Sequence, residues 1–309
     1  MKAEDIKNIL IVGSGTMGKH IGLQCALFDC DVVFYDIEAE LLEKARVHIG
    51  KIAARLVRQG FVTEEQAKKA LESMSFTTDT SQACKGTALV SESVPESVAL
   101  KQKVWKQLDE YLPADAILTT NTSTLLPSQF ADASGRPDRF LAWHFHLPSF
   151  TANVVDVMPH AGTDPEVTQT LMEFSRRIQQ TPIFIKNEFP HYVYNRMFTA
   201  LLSAAEELVV NDVAGVYDVD RAWMTIMNVP LGPFGMMDSL GLDTTLHVTR
   251  ESLNLDPENE TLKKSVQFLQ EKCDKGELGM KTGKGFYTYP NPEYASPDFI
   301  HRPKPIHKK

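Results

Sequence analysis

Four consecutive apolar residues, Ile9 to Val12, lead straight into Gly13-Ser14-Gly15-Thr16-Met17-Gly18. An uninterrupted apolar run this short fits a strand buried on both faces, as in a parallel sheet. The residues that follow, Ile21, Leu23, Ala26 and Leu27, repeat at helical spacing. A strand, a G-x-G-x-x-G turn and a helix in that order make a dinucleotide cradle. The first glycine permits the tight turn, the second lets a pyrophosphate approach the backbone, and the third lets helix and strand pack closely. The helix start, at Thr16 and Met17, offers unpaired N–H groups and the positive end of the helix dipole to phosphate. Asp36 closes a second strand pattern, Asp31 to Tyr35, eighteen residues after Gly18. A carboxylate there can accept both ribose hydroxyls of adenosine. The next residues are Ile37, Glu38, Ala39 and Glu40, with no arginine for a 2′-phosphate, so the pattern favours NAD over NADP.

The chain has 309 residues, enough for two domains. A formal charge of −8 argues against a nucleic-acid partner. No apolar run reaches membrane-spanning length, so no membrane partner is expected. The acidic start, MKAEDIKN, is unlike a signal peptide. Cys25, Cys30, Cys84 and Cys273 lack metal-ligand spacing and read as buried thiols in a reducing compartment. The expectation is a cytoplasmic protein with no metal.

Helical patterns run from Asp36 to about Gly60 and from Thr63, with its T-x-x-Q capping box, to about Ser73. Lys51, Arg55 and Arg58 share one helix face, which fits either a solvated stripe or a site for a phosphate-rich tail. Strand patterns follow at Ala88–Val90, Ala116–Thr119, Arg139–Trp143, Val154–Val157 and Pro182–Ile185, with helices at Val98–Leu112 and Glu166–Gln179 between them. The strand to Thr119 runs into the polar cluster Asn121, Thr122, Ser123 and Thr124. The strand to Trp143 delivers His144, with His146 two residues on. Ligands of open α/β sheets collect at such carboxyl ends. An imidazole there can exchange a proton near neutral pH. Orientation alone does not choose between the two histidines. Asp156 interrupts an apolar strand, and a buried acid needs a partner such as an imidazole. Beyond Pro190 the strand patterns stop and helices dominate. The expected architecture is therefore α/β: a Rossmann-type, mostly parallel sheet domain over residues 1–187 and an all-α domain over 188–309. The tail from Pro297 reads as loosely ordered.

GSGTMG, ESVPES with Lys101, NTSTL, HFHLP, Asn195-Arg196, LGPFGMMDSLGLD and KTGKGFY occur in that order from Gly13 onward. With these motifs the chain resembles the 3-hydroxyacyl-CoA dehydrogenase family over almost its whole length. The resemblance implies an NAD-binding domain joined to a helical domain that forms a homodimer, with a small-molecule substrate between them and a place in fatty acid metabolism. It assigns His144 as catalytic acid/base, Asp156 as its carboxylate partner, and Ser123 and Asn195 as donors to the substrate oxygen. Glu96, Lys101 and Asn121 are implied cofactor contacts beside Gly13, Gly15, Thr16, Met17, Gly18 and Asp36. The implied reaction interconverts 3-hydroxyacyl-CoA and 3-oxoacyl-CoA.

The chain departs from the family in three places. Asp156 stands where the family has glutamate. His-Phe-His-Leu-Pro replaces H-F-x-N-P, and Pro190-His191-Tyr192 replaces P-G-F. Ile52 and Gln59 occupy the positions of a serine and a lysine that face CoA in relatives. Two alternatives stand beside the CoA-linked reaction. One is the same chemistry on a CoA-free hydroxy acid or diketo ester, as in the related gulonate dehydrogenases and diketoreductases. The other is an NAD-binding structural or sensor protein with a decayed site.

Overall fold

β1 (Asn8–Val12) is buried at every position but its first, as its unbroken apolar run requires. After it come α1 (Thr16–Ala26), β2 (Asp31–Tyr35), α2 (Ala39–Arg58), α3 (Glu64–Glu72), β3 (Met74–Thr77) and α4 (Thr80–Cys84). The first unit continues with β4 (Leu89–Glu92), α5 (Val98–Asp109), β5 (Ile117–Thr120), β6 (Phe140–Phe145), β7 (Val154–Pro159), α6 (Pro165–Arg177) and β8 (Thr181–Phe184). The eight strands form one sheet in the order β3-β2-β1-β4-β5-β6-β7-β8. Pairing is parallel from β3 through β6, β7 runs antiparallel to β6, and β8 is parallel to β7. Strand order reverses at β1, so the crevice between the ends of β1 and β4 is the place where such a sheet takes a ligand. Helices α1, α2, α3 and α6 pack a core of Ile9, Ile11, Phe34, Ile49 and Phe174 on one face. Trp105, Phe130 and Phe140 anchor the core on the other.

This computed structural model describes residues 1–300 and divides into two compact units at Val193/Tyr194, a few residues past the expected break at 187/188. The second unit contains α7 (Tyr194–Val210), α8 (Val216–Met227), α9 (Pro233–Leu240), α10 (Leu242–Leu255) and α11 (Glu260–Asp274). No described helix is long and apolar enough to cross a membrane.

Several features depart from the sequence reading, the short helix α4 among them. β3 is a four-residue edge strand, too short to show a period. α9 begins at Pro233 and carries Gly235, which reads as a turn until its packing partners are known. The tail is ordered further than expected: Phe299 is buried against Tyr287, and its carbonyl accepts from the Arg221 guanidinium at 2.8 Å. His301, Lys304 and His307 lie outside the described residues.

Two of the motif segments prove to be halves of one structural clasp. Asp220 accepts from the backbone N–H groups of Phe234 and Gly235 and from the Tyr287 hydroxyl, at 2.9–3.0 Å. Asp238, within LGPFGMMDSLGLD, accepts from the N–H groups of Phe286 and Tyr287, within KTGKGFY, and from the hydroxyl of Tyr289, two residues beyond that motif. A side chain at Gly285 would lie 2.0 Å from the Asp238 carboxylate, so only glycine lets the two segments close.

A different carboxyl of this unit predicts a pH dependence. Glu206 on α7 is buried, with the Ser265 hydroxyl as partner, and burial pushes its pKa up to about 7. A folded-state pKa above the unfolded one means that the folded state binds the extra proton. The contribution of Glu206 to stability is therefore full below about pH 4.5 and is lost as pH rises through about 7, by about 3 kcal/mol in all. Glu206→Gln should raise the Tm at about pH 8 and leave it nearly unchanged at about pH 4. An equal shift at both pH values would refute the assignment.

Candidate active site

The glycine loop has the geometry its spacing predicts. Gly13 has φ +96°, and a Cβ there would sit 2.9 Å from the Ser93 carbonyl oxygen across the β1/β4 crevice. A Cβ on Gly18 would lie 2.1 Å from the Gly13 carbonyl oxygen, so α1 meets the end of β1 only because that side chain is missing. Gly15 differs, because a Cβ there would meet no atom of the described residues within 4 Å. Packing among the described residues does not demand that glycine, and the open space leaves room for the close approach of a ligand. Asp36 stands beside this cradle at the end of β2. Its Oδ2 accepts from the Ser14 N–H at 2.8 Å and the Ser14 hydroxyl at 2.7 Å. The carboxylate is thus fixed against the loop with lone pairs to spare for ribose hydroxyls. These features fit a bound NAD.

The ends of β4 and β5 hold a second polar cluster. Glu92 and Lys101 are both buried, with Lys101 Nζ 2.6 Å from Glu92 Oε1 and 3.3 Å from Glu96 Oε2. Glu92 also accepts from the Thr120 hydroxyl and the Val94 N–H. Burial pushes the Glu92 carboxyl up, against the pull of the Lys101 ammonium. Lys101, expected as a cofactor contact, spends its charge inside the protein. Glu96 gathers the NTSTL turn by accepting from the Thr122 hydroxyl, from the Ser123 N–H at 2.8 Å and from the Thr124 N–H at 3.3 Å. Burial pushes Glu96 up, but Thr122, Lys101 and Ser123 outweigh it and hold the carboxyl below its usual range. The Asn121 side chain accepts from the Phe145 N–H at 2.8 Å, tying the end of β5 to the end of β6.

That tie aligns Ser123 with His144. His144 is buried near the end of β6, and the antiparallel register sets it directly opposite Asp156 on β7. Its Nδ1 lies 3.1 Å from Asp156 Oδ2 and its Nε2 lies 3.0 Å from Ser123 Oγ. Burial pushes the Asp156 carboxyl up, but hydrogen bonds from His144 and His146 more than reverse this and keep it ionised. An ionised carboxylate only accepts, so Nδ1 carries the proton and the Nε2 lone pair faces Ser123. Burial lowers the His144 pKa below the ordinary imidazole value, and the Asp156 hydrogen bond opposes this only partly. His144 is therefore a neutral imidazole with an available lone pair at pH 7.

His146 is oriented differently. Its Nε2 lies 2.9 Å from the same Asp156 Oδ2, and its ring meets His144 edge-on with centroids 4.7 Å apart. Strand orientation alone left the two histidines equivalent, and only the family resemblance chose His144; here His144 reaches Ser123 while His146 braces the carboxylate. Ligand atoms of His144, His146 and Asp156 all lie within 4.8 Å of one another, a grouping that a metal ion can also use. The short His–Asp edges are accounted for by shared protons. Tyr192 is a further group that periodicity could not reveal, and its ring stacks on His144 at 4.8 Å and 6°. Asn195 lies in the first turn of α7, in the second unit.

A dinucleotide cradle with a neutral imidazole, a hydroxyl and an ionised carboxylate on the same sheet is the equipment of a nicotinamide-dependent dehydrogenase. Comparison with known proteins agrees. The profile of the 3-hydroxyacyl-CoA dehydrogenase NAD binding domain matches residues 8–188, and that of the C-terminal domain matches residues 192–289. The mitochondrial hydroxyacyl-coenzyme A dehydrogenase of Rattus norvegicus is 30% identical over 289 residues, covering 92% of this chain and 91% of the relative. A probable 3-hydroxybutyryl-CoA dehydrogenase of Deinococcus radiodurans is 32% identical over 279 residues, covering 90% of this chain and 99% of the relative. Among solved structures, a diketoreductase studied for catalysis on dicarbonyl compounds has a TM-score of 0.86 at 36% identity, covering 92% of this chain and 99% of that one. The chain belongs to the 3-hydroxyacyl-CoA dehydrogenase family, and its sheet unit carries that family's NAD-binding domain.

Proposed function

We propose that the protein interconverts 3-hydroxyacyl-CoA and 3-oxoacyl-CoA compounds with NAD, using His144 as acid and base. One observation carries this reading: His144 holds Nδ1–H on ionised Asp156 while its Nε2 faces Ser123, at the same sheet edge as the glycine loop. NAD, when bound, supplies the nicotinamide that accepts hydride from C3. His144 Nε2 takes the C3 hydroxyl proton in that direction and returns it in the other. Ser123 Oγ donates to the same oxygen as negative charge develops on it. Asp156 keeps the ring in the required tautomer and offsets the imidazolium charge. The family resemblance assigns Asn195 a second hydrogen bond to that oxygen, and this assignment is part of the proposal. Nucleotide binding is assigned to residues 1–187, and substrate binding and dimerisation to 188–309.

A homodimer is supported by apolar side chains left in solvent on the helical unit, with Ile226 82% and Leu255 87% exposed. A cytoplasmic location and a role in fatty acid metabolism belong to the same reading, supported by the bacterial relatives named as 3-hydroxybutyryl-CoA dehydrogenases. The identity to a diketoreductase, 36%, favours a second reading with the same chemistry on a CoA-free dicarbonyl compound. NADH consumption measured with acetoacetyl-CoA and with ethyl acetoacetate separates the two. Turnover of the thioester is expected. Turnover of the free ester alone would move the protein to the CoA-free class, and consumption with neither would overturn the dehydrogenase reading.

A further inference from the structure

Tyr192 carries a polar atom that the described part of the protein leaves unpaired. The residue is only 3% exposed and packs against Ala142, Met158 and Ile185, and its hydroxyl has no hydrogen-bond partner among the described residues. Phenylalanine would supply the same packing and the same stack on His144 without burying an unpaired hydroxyl, which is costly. The backbone that places the ring is itself strained. His191 and Tyr192 have φ +67° and +57°, two successive left-handed residues of which neither is glycine. Unpaired burial and backbone strain coincide on a ring that lies flat against the proton-transfer imidazole. Such features cluster where a ligand completes the site. Burial first, then the charges of Glu96 and Asp156, push the phenol's pKa well up, so the hydroxyl keeps its proton and remains a donor.

We propose that the Tyr192 hydroxyl donates a hydrogen bond to an oxygen of the bound substrate. The inference rests on the dehydrogenase reading above and extends it to a substrate-contacting residue. Two oxygens of a 3-oxo compound qualify: the reacting one at C3, or a second carbonyl oxygen nearby. A contact with the first would make Tyr192 a companion to Ser123, whereas a contact with the second would make it a selector for dicarbonyl compounds over plain ketones. A water bridging Tyr192 to Asp156 Oδ1, another buried polar atom without a partner among the described residues, is the competing explanation.

The test is Tyr192→Phe, with kcat and KM measured on whichever 3-oxo substrate the wild type reduces and the ligand-free Tm measured in parallel. The expected result is a fall in kcat/KM of about tenfold with no loss of Tm. A fall in kcat places the contact on the reacting oxygen; a rise in KM at constant kcat places it on the second oxygen. Unchanged kcat/KM in an active, stable variant overturns the inference and leaves the dehydrogenase reading standing. A Tm loss without a kinetic change would assign the hydroxyl to the bridging water and also overturn it. A wild type inactive on every 3-oxo substrate would overturn the underlying reading and this inference with it.

Discussion

His144→Gln should lower turnover by about 10³-fold, within the range general acid–base groups contribute, while NADH affinity stays within about twofold. Glutamine preserves much of the ring's volume and can still hydrogen-bond Asp156 and Ser123, but it cannot cycle a proton. The alternative base, His146, is poorly placed to compensate. Its Nε2 is held 2.9 Å from Asp156, whereas Ser123 sits 3.0 Å from His144 Nε2. Steady-state kinetics together with NADH fluorescence titration give both numbers. Retention of more than about a tenth of wild-type turnover would move the base elsewhere, and His146 would be the next variant to make.

The largest stability effect is expected at Lys101. Lys101→Met removes the counter-charge from Glu92, whose side chain is fully buried. Breaking a buried pair by deleting one partner costs about 3–5 kcal/mol, because an uncompensated charge stays behind. The size of the effect follows pH. Without the ammonium, the Glu92 pKa rises further in the folded state. A raised folded pKa gives stability at low pH that is lost as pH rises. Denaturant unfolding should therefore show a larger deficit at about pH 8 than at about pH 5. If Lys101 acted instead as a cofactor contact, the variant would weaken NADH binding and unfold at the wild-type midpoint.

What the sequence disclosed was local. β1, the glycine turn and α1 are contiguous, so their spacing alone specifies the cradle. Asp36 was readable because a βαβ unit has a narrow range of lengths. The need of Asp156 for a partner was readable from its polarity within an apolar strand. The partner's register was not, because hydrophobic alternation does not record which strand lies beside which, or that β7 runs antiparallel to β6. The same blindness hid the Lys101–Glu92 pair, nine residues apart but joined only after β4 and α5 pack. It also hid Tyr192, whose stack on His144 spans 48 residues of chain. LGPFGMMDSLGLD and KTGKGFY were legible as motifs, but their purpose as two sides of the Asp238 clasp needed coordinates.

The central claim, that His144 moves the proton, is tested most directly by the pH dependence of kcat/KM for NAD reduction in wild type and His144→Gln. Oxidation needs the neutral imidazole, and burial holds the His144 pKa below its ordinary value. The wild-type rate should thus be level through neutrality and fall only below about pH 6.5. NADH consumption, which needs the protonated ring, should fall as pH rises over the same interval. In His144→Gln the residual rate should show no such inflection. An identical acid limb in the variant, or a wild-type midpoint well above neutrality, would contradict the account.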